Sequence, residues 1–107
     1  MLKDFEKKAI ALLTFGLFTY ADILEISREA ELVDLDHTGA GYYLTISHPR
    51  FSKERHVYDK PLVIGEVSWG TVGFIVFIED GVLTLECHSW ETESVSKDIR
   101  DMDVQVS

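Results

Sequence analysis

Residues 71–89 leave the chain little choice of fold. Residues 71–79 (TVGFIVFIE) are apolar at almost every position. Asp80-Gly81 follows, and residues 82–89 (VLTLECHS) then alternate, with Leu83, Leu85 and Cys87 in one phase and Thr84, Glu86 and His88 in the other. Asp-Gly between two such runs is a strong hairpin signal, because a tight turn needs residues that accept positive φ. Successive strand side chains point to opposite faces. Residues 82–89 therefore predict a half-buried strand, and 71–79 predict the most central strand of a sheet.

The same pattern recurs earlier. In residues 31–37 (ELVDLDH), Val33 and Leu35 alternate with acids, which predicts a half-buried strand with Asp34 and Asp36 pointing out. Thr38-Gly39-Ala40-Gly41 reads as a turn. Residues 42–48 return, with Tyr42, Leu44 and Ile46 on one face and Tyr43, Thr45 and Ser47 on the other. Residues 49–60 read as a loop that holds most of the basic side chains and His56, and 61–68 as a short strand opened by Pro61.

Only the N-terminal region departs from alternation. Leu2, Phe5, Ala9, Leu13 and Leu17 recur at steps of three and four, which predicts a helix over 2–17 with Asp4 as N-cap, Gly16 near its end and its apolar surface well covered. In residues 19–27, Thr19 either caps a second short helix or leads to a strand starting between Ile23 and Ile26. From Trp90 the tail is polar and acidic; residues 94–101 could form a helical turn, and Val104 and Val106 a short edge strand. One domain follows from 107 residues without repeats or linkers. The expected fold class is α+β, an N-terminal helix packed on a mainly antiparallel sheet of about five strands.

The net charge of −9 narrows the function classes. It argues against gripping nucleic-acid phosphates, which takes a basic footprint. The charge is also unevenly placed. Residues 22–36 set six acids against Arg28 alone, and residues 79–103 set eight acids against Lys97 and Arg100. A mildly basic loop, 48–60, lies between them. Acidic blocks brought together by folding add their fields and steer a basic partner; kept apart, they serve as a solvated surface. The lone Cys87 forms no intramolecular disulfide, and charges interrupt the apolar residues of the N-terminus, so a cytoplasmic protein without a membrane span is expected.

Catalytic patterns are weak. His37, His48, His56 and His88 show no short ligand spacing, so no metal site or other cofactor is expected. Cys87 is in phase with Leu83 and Leu85, which fits a buried small hydrophobe. No Gly-x-Ser-x-Gly elbow or phosphate-cradling Gly-x-x-x-x-Gly-Lys is present. An enzyme reading would need carboxylates such as Glu66, Glu79 or Glu86 to converge in a cleft. Trp69, Trp90, Tyr42 and Tyr43 sit at element ends, where aromatics act as interface anchors or as core lids. Trp90 is followed by Glu91 and Glu93, a setting in which a guanidinium can stack on the ring and pair with the acids.

Two segments together resemble a known group. They are Thr38-Gly39-Ala40-Gly41-Tyr42-Tyr43, and the run from Val72-Gly73-Phe74 through Asp80-Gly81 to Leu85-Glu86-Cys87-His88-Ser89-Trp90. This pattern, over roughly residues 30–93, resembles small bacterial immunity proteins of contact-dependent growth inhibition and related polymorphic toxin systems. The chain departs from it after Leu85-Glu86, where a glycine and two aromatics are usual, and at Ser94-Val95-Ser96, where a proline is usual. The resemblance implies a non-enzymatic inhibitor whose partner is a toxin domain, and it carries over no catalytic residue. A basic toxin domain, such as a nuclease, would be met by carboxylates standing where phosphates would lie. The residues expected to make that contact are Asp34, Asp36, Glu86, His88, Trp90, Glu91 and Glu93, with Trp90 as apolar anchor. The alternatives are a small hydrolase or ligand-binding domain with carboxylates in a cleft, and a homodimeric adaptor paired through strand 31–37 or the tail.

Overall fold

A computed structural model describes residues 1–90 and 94–107 of the chain. Two helices come first, α1 (Asp4–Leu13) and α2 (Tyr20–Glu29). Seven strands follow among the described residues: β1 (Glu31–His37), β2 (Gly41–Ser47), β3 (His56–Tyr58), β4 (Ile64–Val67), β5 (Gly70–Glu79), β6 (Val82–Ser89) and β7 (Gln105–Val106), with a 3-10 turn at Ile99–Asp101. Every pairing is antiparallel, in the order β1-β2-β6-β5-β4-β7, and β3 pairs with β5 beyond the end of β4. The fold is α+β as expected, with seven strands in place of about five and two helices in place of one.

The helical region is shorter and broken. α1 is capped by Lys3, whose amide donates to Glu6 Oε1 at 2.8 Å; Asp4 is the first helical residue and not the cap. The helix stops at Leu13, and the chain turns through Gly16 at φ +92°. Thr19 then starts α2 by a reciprocal capping box: Asp22 N–H donates to Thr19 Oγ1 at 3.0 Å and Thr19 N–H to Asp22 Oδ2 at 2.8 Å. This resolves residues 19–27 in favour of helix. Phe5, Ala9, Ile10 and Leu13 of α1 and Ile23 and Ile26 of α2 are buried against one face of the sheet, where the Phe5 and Phe74 rings lie 6.1 Å apart. The coverage expected for the whole helical region fails at its turn, where Phe15 is 87% exposed.

The sheet register explains the remaining differences. β1 carries a bulge between Leu32 and Asp34. The extra residue, Val33, lets Leu32 and Leu35 pair with Ile46 and Leu44, so it is Leu32 and not Val33 that shares the core-side phase of Leu35. Strict alternation could not register that shift. The expected loop 49–60 contains β3, only three residues long and set among charges, and the expected strand 61–68 shrinks to β4. The tail is less polar in effect than in composition: Val95, Ile99, Val104 and Val106 are all buried, and β7 pairs with β4. No described helix is long and apolar enough to cross a membrane.

Candidate functional site

Both helices lie on the face that carries Tyr42, Leu44, Ile46, Leu83, Leu85 and Cys87. The opposite face has no described helix over it. Side chains directly across an antiparallel ladder point the same way, so the register reads out the composition of this open face. One row is Asp36–Tyr43–Glu86–Ile75, and the next is Asp34–Thr45–Thr84–Phe77–Val57. A third row is Gly41–His88–Gly73–Ile64. Trp90 continues the face, its amide donating to the Thr71 carbonyl at 3.1 Å. Asp34, Asp36, Glu86, His88 and Trp90 are therefore brought together on one surface. Asp36 and Glu86 sit two strands apart, roughly 10 Å at the usual interstrand spacing. Glu91 and Glu93 lie outside the described residues.

The chemistry of this face is local and coupled. Trp90 Nε1 donates to His88 Nε2 at 3.2 Å, which makes Nε2 an acceptor and puts the proton of a neutral ring on Nδ1. His88 Nδ1 lies 3.2 Å from Glu86 Oε2, but it is shielded from solvent and has no aligned hydrogen bond, so that contact is electrostatic and not directional. The Glu86 charge raises the Tyr43 phenol above its ordinary pKa, helped by partial burial, hydrogen bonding to Glu86 and the Asp36 charge. Gly73 makes room for the arrangement. A Cβ there would collide with Trp90 Nε1 and come within 2.8 Å of His88 Nε2. No lysine or arginine pairs with Asp34, Asp36 or Glu86 among the described residues. Ile75, Phe77 and Val57 sit beside these unneutralised acids and are only partly covered.

The carboxylates of the enzyme reading do not converge. Glu86 is opposite Ile75 of β5, while Glu79 is four residues further along β5, about 13 Å away at strand rise, and pairs with Arg55 at 3.3 Å. Glu66 is opposite Thr71, four residues the other way, and is exposed. A groove of about 720 Å³ does hold a Glu–His pair that sequence reasoning missed: His48 Nε2 lies 2.8 Å from Glu29 Oε1. Arg50 N–H donates to His48 Nδ1 at 3.1 Å, so both ring nitrogens are occupied and the pair ties α2 to the chain after β2. Cys87 is buried as expected, and burial pushes its thiol up to about 12.

A second cluster was invisible in the sequence. Glu6 is fully buried and accepts from Lys3 N (2.8 Å), Tyr42 Oη (2.6 Å), Arg100 Nε (2.8 Å) and an Arg100 terminal nitrogen (2.9 Å). Its members are 36 and 94 residues apart in sequence, a separation that no local pattern encodes. No known protein family, curated protein or solved structure matches this chain.

Proposed function

We propose that this protein is an inhibitor of the immunity type, which binds a basic toxin domain through the open face of its sheet and acts in the cytoplasm. The observation that carries the reading is the convergence of Asp34, Asp36, Glu86 and Trp90 on one face with no helix over it and no lysine or arginine paired with these acids among the described residues. Such a face offers a cationic partner three carboxylates, a half-exposed indole for a guanidinium to stack on, and an apolar strip at Ile75 and Phe77. Fields of one sign speed encounter with an oppositely charged protein and weaken as salt rises. Sequestering a basic catalytic cleft needs no chemistry from the inhibitor, only complementarity and slow release.

The test is to look for a toxin domain encoded beside this gene and co-express it with the protein; a locus without one also counts against the reading. The expected outcome is restored growth and a purified complex whose association slows with added salt. Asp34→Lys with Asp36→Lys should slow association and flatten that salt dependence while leaving the free protein folded. Failure to protect against the neighbouring toxin overturns the reading, and unchanged kinetics in the double variant removes the open face as the contact.

A further inference from the structure

The turn between α1 and α2 exposes apolar surface on the side of the molecule away from the open face. Phe15 is 87% exposed, Leu17 49% and Tyr20 46%. Beside them runs a groove of about 530 Å³ lined by Lys8, Ala11, Leu12, Phe15 and Tyr20. On α1, exposed Lys8 and partly buried Ala11 follow one another at a three-residue step, and Phe15 stands four residues on, just past the helix end. The stripe thus reads cation, small residue, large aromatic. Leu12 lies next to it, partly buried.

Read from either end, this stripe complements itself. Turned antiparallel about a twofold axis between Ala11 and Leu12, residue 15 of one copy falls opposite residue 8 of the other. Each Phe15 ring would then cover the gap left by Ala11 and meet the Lys8 ammonium of the second copy, a cation–π contact at both ends. Local charge favours a copy here and opposes it across the open sheet faces. The stripe carries a cation opposite an aromatic face, whereas two open sheet faces would set Asp34, Asp36 and Glu86 against their own likes. The β1 edge is guarded in a similar way, by its acids and its bulge. We infer that the protein forms a twofold dimer through the α1–α2 turn, with Phe15 of each copy seated on Lys8 and Ala11 of the other, leaving two open sheet faces pointing outward.

Sedimentation of the full chain from about 1 to about 500 μM tests this, over the range in which small apolar interfaces associate. A concentration-dependent dimer is expected. Phe15→Lys sets like charges against each other and should weaken it at least tenfold. Since Phe15 is exposed, the variant should keep the wild-type circular dichroism and melting, and Phe15→Ala serves as a second reading of the same contact. Combining Lys8→Glu with Phe15→Lys should restore association, because the twofold arrangement brings those two positions together. A chain that stays monomeric across the range overturns the inference. So does a dimer that survives Phe15→Lys, or one lost instead on Val33→Lys, which would place the interface at the β1 edge.

Discussion

Tyr42 and Tyr43 are neighbours in sequence, point to opposite faces of β2, and each meets a glutamate. On the helix side Tyr42 donates to Glu6, whose carboxylate also takes Arg100 and the Lys3 amide, so a buried charge is paired and fully hydrogen-bonded. On the open side Tyr43 meets Glu86, whose other close partner is His88, 3.2 Å away and itself hydrogen-bonded to Trp90. Both clusters are built around a tyrosine–glutamate contact, and they differ in completeness. One joins α1, β2 and the C-terminal segment and has no valence left for a partner. The other sets Asp34, Asp36 and Glu86 on one face with no lysine or arginine paired to them among the described residues.

The comparison breaks first, and most strongly, at Arg100. Removing it by Arg100→Ala leaves Glu6 buried beside Tyr42 without its cation, and breaking a buried pair from one side costs about 3–5 kcal/mol. Chemical denaturation should show that loss. Replacing Glu6 and Arg100 by leucine and methionine, together with Tyr42→Phe so that no buried hydroxyl loses its acceptor, should cost far less, because no orphaned charge or polar group remains at Tyr42. The matching change on the open face, Glu86→Gln, should stay within about 0.5 kcal/mol of wild type, as most surface substitutions do. If the two faces respond alike, then Glu6 is not the closed site described and the contrast fails.

These two clusters were unequally legible. Asp34, Asp36, Glu86 and His88 were placed on strand faces by the two-residue period, and the period was right for β2 and β6 because both strands are regular over their full ladder. What the period could not supply was adjacency, since the order β1-β2-β6 is set by which strands pair and not by any one segment. It also failed at Val33, where one extra residue reverses the phase. Glu6 looked like an ordinary polar position of an amphipathic helix, and Arg100 like one base in an acidic tail. Their meeting depends on the docking of the C-terminal segment through Val95, Ile99, Val104 and Val106; the local pattern reads a helical turn and an edge strand there, but not where that segment docks. The short strand β3 was missed for a related reason: three residues give no alternation to read.

Alkaline pH sharpens the contrast through the tyrosines themselves. Burial, then the Glu6 charge, drives the Tyr42 phenol far above its ordinary pKa, and burial likewise raises the Cys87 thiol to about 12. Both groups stay protonated in the folded chain at pH values where the unfolded chain has already released its protons. The unfolded state then binds fewer protons, so stability falls as pH rises through the ordinary cysteine and tyrosine range. Each such group adds a slope of about 1.4 kcal/mol per pH unit while only the unfolded form is ionised. Urea unfolding between about pH 9 and about pH 11 should show this decline. It should be shallower in Cys87→Ala and, above the ordinary tyrosine value, in Tyr42→Phe. Tyr43→Phe should change the slope least, because Tyr43 is 38% exposed and its shift comes mainly from the Glu86 charge. An equal effect at the two tyrosines would mean that Tyr42 is as hydrated as its neighbour.

The smallest effect lies in the Trp90–His88 contact. Trp90 donates to His88 Nε2 at 3.2 Å, and His88→Ala removes that acceptor while leaving the Thr71 carbonyl that holds the Trp90 amide. In a Trp69→Phe background, Trp90 emission should shift in His88→Ala. Global stability should move by no more than about 1 kcal/mol, since the pair is partly exposed and a neutral hydrogen bond is worth about that much. The buried cluster has no such slack, because Glu6 is held by four donors. If the emission is unchanged, the indole is anchored by Gly73 and Thr71 alone, and Trp90 is a fixed rim of the open face and not a side chain that a bound cation can reorient.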